Sequence, residues 1–98
     1  EQGYSEAETQ LAELYFNGQG VGRNEQKALQ LYQKAAEAGN ADALYQLGLL
    51  SETGVATKLD YSGAVNYYTQ AAVKGNEKGK LALARMYQYG LGVSKDSE

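Results

Sequence analysis

Two features of this chain have residue types that could do chemistry, a glycine run and pairs of carboxylates, and both fail on spacing or surroundings. Gly18-Gln19-Gly20-Val21-Gly22 alternates glycine as a phosphate-cradling loop does. It follows a helical pattern rather than a strand, lacks a closing Gly-Lys-Ser/Thr, and is misspaced for a dinucleotide fingerprint. An inter-helix turn is the reading it supports. Glu6 and Glu13 could form an acid–base pair. Such work needs a shifted pKa in a cleft, and both fall on a solvated helix surface. Calcium would need a loop of alternating acids, and the chain has none. Histidine and cysteine are absent, which removes the commonest general base and metal ligand and any thiolate nucleophile. The chain therefore reads as a non-enzyme, with no catalytic residues, no cofactor and no metal site.

The remaining candidates are tyrosines and charges, and their use depends on the elements that carry them. At 98 residues the chain makes one small domain, with a modest core. Its net charge of −3 argues against non-specific nucleic-acid binding. Residues 1–49 hold seven acids against three bases, and residues 50–98 five against six. No apolar run approaches membrane-spanning length. Glu1-Gln2-Gly3-Tyr4 lacks the basic and apolar regions of a signal peptide. The absence of cysteine fits oxidising and reducing compartments alike, so localisation stays unassigned.

A step of 36 residues organises the chain. It links Gly3, Gly39 and Gly75, and also Gly18, Gly54 and Gly90. It links Leu11, Leu47 and Leu83, and Leu14, Leu50 and Met86. It carries Ala28 to Ala64, Tyr32 to Tyr68, and Ala35-Ala36 to Ala71-Ala72. A repeat of this length means a solenoid in which each unit buries its apolar face against its neighbours.

Each unit reads as two helices. The A helices are expected over Ser5–Asn17, Ala41–Thr53 and Glu77–Tyr89, and the B helices over Glu25–Ala38 and Tyr61–Lys74. Apolar or small residues recur at helical spacing, as at Ala43, Leu47, Leu50 and at Ala28, Leu31, Tyr32, Ala35. Asn24, Asn40, Asp60 and Asn76 are placed as N-caps, with Asp96 in the same phase. Gly39 and Gly75 suit the left-handed residue that ends a helix. Small residues at Ala12, Gly48 and Ala84 are expected to admit a close neighbour. Val21 and Val93 are expected to plug the seam between helices. No strand is expected, and the fold class is all-α: a right-handed α-α superhelix of antiparallel helix pairs.

These residues resemble the Sel-one-like repeat family, a relative of the tetratricopeptide repeats with a longer unit. The resemblance runs through Ala7, Leu11-Ala12, Tyr15, Gly18-Gln19-Gly20-Val21, Asn24, Lys27-Ala28, Leu31-Tyr32, Lys34-Ala35-Ala36-Glu37 and Gly39. It returns at Ala43, Leu47-Gly48, Gly54, Asp60, Ala64, Tyr67-Tyr68, Ala71-Ala72 and Gly75, and again at Leu83-Ala84, Tyr87, Gly90-Leu91-Gly92-Val93 and Asp96. The second unit departs at Ser51, Ala56 and Thr57, so a looser loop is expected there. The resemblance implies an adaptor or scaffold, in a family whose members are often bacterial and envelope-associated or secreted. The array is read over 1–98: residues 1–3 as the tail of a preceding repeat, 4–39 and 40–75 as repeats, and 76–98 as a partial repeat. Asp96-Ser97-Glu98 reads as the start of another B helix, so the chain is expected to be cut from a longer array and to self-associate through exposed ends.

Tetratricopeptide-like geometry, implied by the same resemblance, aims a second face of each A helix into a concave groove. The partner-binding residues expected on it are Glu13, Phe16, Tyr45, Leu49, Glu52, Lys78, Arg85 and Tyr89. Phe16, Tyr45, Leu49 and Tyr89 would form an apolar track, since aromatic anchors carry interface energy. The expected partner is a protein or peptide. The alternative is a purely structural spacer whose binding surface lies in other repeats.

Overall fold

The computed structural model of the chain describes residues 2–18, 22 and 24–93, with side chains from Ser5 onward. Gly20, Val21 and Asp96-Ser97-Glu98, to which the sequence assigns a loop, a plug and a cap, lie outside the described residues, as does the side chain of Tyr4.

Five helices follow one another: α1 (Gln2–Asn17), α2 (Glu25–Glu37), α3 (Ala41–Thr53), α4 (Tyr61–Val73) and α5 (Glu77–Tyr89). No strand occurs among the described residues. Each helix packs on its sequence neighbours, α1 on α2, α2 on α3, α3 on α4 and α4 on α5. The result is a row of antiparallel pairs measuring 48 × 25 × 17 Å, the α-α solenoid that the repeat requires. No described helix is long and apolar enough to cross a membrane.

Helix boundaries follow from capping chemistry. The side-chain oxygens of Asn24, Asn40, Asp60 and Asn76 accept from the backbone N–H three residues on, at Lys27, Ala43, Gly63 and Gly79. Gly39 and Gly75 take left-handed φ values of 94° and 89°, past the ends of α2 and α4. The first helix departs from expectation by starting at Gln2 rather than Ser5. One repeat before Asn40 stands Tyr4, which lacks a short capping oxygen, so nothing stops the helix there.

The core divides into two clusters. Ala12, Ala28, Tyr32, Ala35, Ala43, Leu47 and Leu50 form the first. Ala64, Tyr68, Ala82 and Met86 form the second, with Tyr45, Leu49 and Leu83 half-buried against it. Leu47 and Leu50 are nearly sealed, at 3% and 4% exposed. Their phase-mates Leu11 and Leu14 are each 39% exposed, a departure from the expected common face. This row of side chains meets the helix that precedes it, α2 for Leu47 and Leu50, and no described helix precedes α1. By the same rule Met86 is sealed against α4, while Tyr87 on the other flank of α5 is 51% exposed.

Gly48 is the point of closest approach. A methyl group added there would fall on the ring carbons Cε1 and Cδ1 of Tyr68, which is fully buried. The glycine lets the ring approach the α3 backbone closely. In the α3–α4 loop, Ala56 adopts φ 65°, the left-handed region that Gly92 occupies one repeat later at 72°.

Candidate functional site

The middle of the array gathers five of the eight expected binding residues. Helix α3 presents Tyr45, Leu49 and Glu52, at i, i+4 and i+7 on one stripe. Helix α5 presents Lys78 and Arg85, again seven residues apart. Helix α4 lies behind both and supplies Tyr68.

The Glu52 carboxylate accepts from both terminal nitrogens of Arg85, with Nη2 to Oε1 at 2.9 Å and Nη1 to Oε2. Tyr68 donates its hydroxyl to Oε1 at 2.6 Å. One buried-side carboxylate thus ties three helices together, in the two-pronged geometry that suits a guanidinium. The Arg85 hydrogen bonds hold Glu52 below its usual value, against the opposing effect of burial, and the Tyr68 hydrogen bond adds to the lowering. Burial, then the bond to Glu52, pushes the Tyr68 phenol up. The bond to Glu52 also pushes Arg85 up.

The Tyr68 ring tilts by 37° against that of Tyr45, with centroids 5.9 Å apart, a favourable aromatic offset. The Lys78 ammonium stands 5.9 Å above the Tyr45 ring, in reach of a cation–π contact. Tyr45, Lys78, Leu81, Ala82 and Arg85 line an open hollow of about 300 Å³. Leu81 is 72% exposed at its rim.

The other three expected residues lie elsewhere. Phe16 is half-buried against the first core cluster. Glu13 is exposed on α1, close enough to the Tyr32 phenol to add to the effect of burial in raising it to about 12. Tyr89 is 62% exposed in the last turn of α5. The apolar side chains Phe16, Tyr45, Leu49 and Tyr89 are therefore not one packed track: the first belongs to one cluster, the middle two to another, and the last to neither.

Sequence reasoning placed Tyr68 in the core and missed its hydroxyl as a clamp on Glu52. The available signal was Glu52 itself, an acid at a phase held elsewhere by Phe16 and Gln88. A larger cleft of about 510 Å³ opens where the inter-repeat turns meet, between Asn40 and Asn76. Its asparagines are engaged in the fold, with Asn76 Nδ2 donating to Asp42 Oδ1 at 2.9 Å and Asn40 Nδ2 reaching Ser5 Oγ at 3.4 Å.

The family model of the Sel1 repeat matches residues 5–40, 41–76 and 78–98. The chain belongs to the Sel1 repeat family. Human protein sel-1 homolog 2 is 43% identical to it over 70 residues, covering 70% of this chain and 10% of the human protein. Chitin synthase regulatory factor 3 of Schizosaccharomyces pombe is 40% identical over 85 residues, covering 85% of this chain and 9% of that protein. The Sel1 repeats here thus span about a tenth of the length of these relatives. Among solved structures, a protective antigen of uropathogenic Escherichia coli displaying an SLR fold superposes with a TM-score of 0.91 at 35% identity, over 97% of this chain and 20% of that one. Animal, fungal and bacterial proteins alike thus carry the Sel1 repeat.

Proposed function

We propose that this Sel1 repeat array is a protein-interaction module, an adaptor or scaffold that receives a segment of a partner protein on the concave face formed by its A helices. The observation that carries this reading is the hollow between α3 and α5. Its walls combine a half-buried aromatic, an exposed aliphatic side chain and two cations on a frame held by the Glu52 clamp. Anchors held in place before binding lose little freedom on association. The fission-yeast relative is by its name a regulatory factor rather than a synthase, which favours an adaptor. No catalytic role enters the proposal, because the chain has no histidine or cysteine and Glu52 is committed to Arg85.

A photo-crosslinking residue placed at Leu81, with a control at Val73 on α4, tests this. Both positions are open, at 72% and 82% exposed. The Leu81 probe is expected to trap a discrete partner and the Val73 probe none. Equal trapping from both, or none from Leu81, would leave the spacer reading in the lead.

A further inference from the structure

We infer that the α3–α5 hollow selects an acidic peptide segment, one in which a glutamate or aspartate side chain stands beside a bulky aliphatic residue. This rests on the interaction-module reading and adds the chemistry of the partner.

The hollow is lined by two cations and no carboxylate. The acids around it are all engaged. Glu52 holds Arg85, Asp42 accepts from Asn76, and Glu77 pairs with Lys80 at 3.6 Å. Lys78 meets no carboxylate among the described residues, and its ammonium lies over the face of Tyr45. The ammonium carries three donors, and a ring face occupies none of them as a carboxylate would.

Arg85 is also only half used. Glu52 takes one N–H from each terminal nitrogen, which leaves the Nε–H and the outer N–H groups of a five-donor guanidinium. Its side chain is 40% exposed, which leaves part of the guanidinium within reach of solvent. A carboxylate placed between Lys78 and those N–H groups would be held by two positive charges without displacing Glu52.

The apolar part of the recognition comes from Leu81, Ala82 and the Tyr45 ring. About 300 Å³ lies at the lower limit of small-molecule pockets. It accommodates a leucine-sized side chain with its flanking backbone and is too small and open for a cofactor. A basic segment would meet like charges, so the hollow discriminates by repulsion as well as attraction.

The test uses short fluorescein-labelled peptides, amidated so that side chains supply the only carboxylates. One repeats Glu-Leu-Gly, a second Gln-Leu-Gly and a third Lys-Leu-Gly. Fluorescence anisotropy is expected to show the glutamate peptide binding most tightly, the lysine peptide not at all, and raised salt weakening the first. Lys78→Glu and Leu81→Ser change exposed residues and are expected to leave the melting temperature unchanged. Lys78→Glu is expected to weaken the glutamate peptide about tenfold or more, and Lys78→Arg to restore it. Amide shifts in NMR spectra are expected to cluster at Tyr45, Lys78, Leu81 and Arg85. Equal affinity for the glutamate and glutamine peptides, or no effect of Lys78→Glu, would overturn the acidic preference. The interaction-module reading would survive that result, since it falls only if the Leu81 crosslinker traps no partner beyond the Val73 control.

Discussion

Glu52 and Arg85 join consecutive A helices across a separation of 33 residues, and the same step one repeat earlier runs from Phe16 to Leu49. Equivalent places on two adjacent seams are therefore coded differently, one by an ion pair and one by apolar side chains. A repeat seated on the wrong neighbour would leave Glu52 beside leucine, with a desolvated charge and no partner.

The pair makes stability pH-dependent. Arg85 holds the folded Glu52 below its ordinary value near 4.5. Its contribution is therefore complete above that value and is lost as pH falls through the lower, folded one. Urea melts from neutral pH to pH 3 are expected to show the loss for the native chain and a flatter profile for Glu52→Gln. At the alkaline end Tyr32 and Tyr68 are both raised, so stability is expected to decline above pH 10. A double-mutant cycle on Glu52 and Arg85 should give a coupling of about 1 kcal/mol. A coupling near zero would show that the clamp is not formed in solution.

Leu47 and Leu11 share one phase but differ in cover. Leu47→Ala is expected to cost about 2–5 kcal/mol, from lost burial and the cavity left behind. Leu11→Ala, at a position 39% exposed, is expected to cost less than about 1 kcal/mol. Similar losses for both in denaturant melts would contradict the packing of this row on the helix before.

Much of this was legible in the residues. The 36-residue step fixed the order and type of the helices, and Asn40, Asp60 and Asn76 marked their starts because a capping oxygen is a local requirement. The faces of α1 and α5 were harder, because phase alone does not say whether Leu11 or Met86 meets the helix before or the helix after. The Tyr68–Glu52–Arg85 clamp was out of reach for a related reason. It depends on the rotation of three helices about their axes, and the sequence pattern resolves each face only coarsely.

Gly48 tests the closeness of α3 and α4. Alanine there improves helix propensity by about 1 kcal/mol but drives a methyl into a sealed ring. Overpacking of this kind costs about 1–3 kcal/mol, so Gly48→Ala is expected to lower the melting temperature and to disturb the Tyr68 ring resonances. A rise would mean that Tyr68 has room to move.

Ala56 carries strain that its glycine phase-mate does not. A left-handed conformation costs a side-chain-bearing residue about 1–2 kcal/mol, offset in part by the extra freedom glycine adds to the unfolded chain. Ala56→Gly is thus expected to stabilise the protein by about 0.5–1 kcal/mol. The opposite exchange, Gly92→Ala, adds the same strain and a collision with the Tyr61 backbone, and is expected to destabilise by more than the first gains. Thermal melts of the two variants decide the matter.

The asparagine at each repeat junction has a consequence for how such arrays can vary. The N–H of Asn76 bonds to the carbonyl of Ala71 at the end of α4. Its Oδ1 caps α5 and its Nδ2 holds Asp42 at the start of α3. Asn40 repeats the arrangement against Ala35, Ala43 and Ser5. A residue inserted or deleted beside either asparagine would break a stop, a start and a tie between repeats at once. Among the described residues, Asn24 and Asp60 at the ends of the A-to-B loops make the first two of these bonds, to Tyr15 and Lys27 and to Ser51 and Gly63, without the side-chain tie to the next repeat, and the loop after α3 already accepts an alanine in a glycine's conformation. Changes of length should therefore collect along one edge of the solenoid, leaving the opposite edge as a ruler that keeps successive repeats in step.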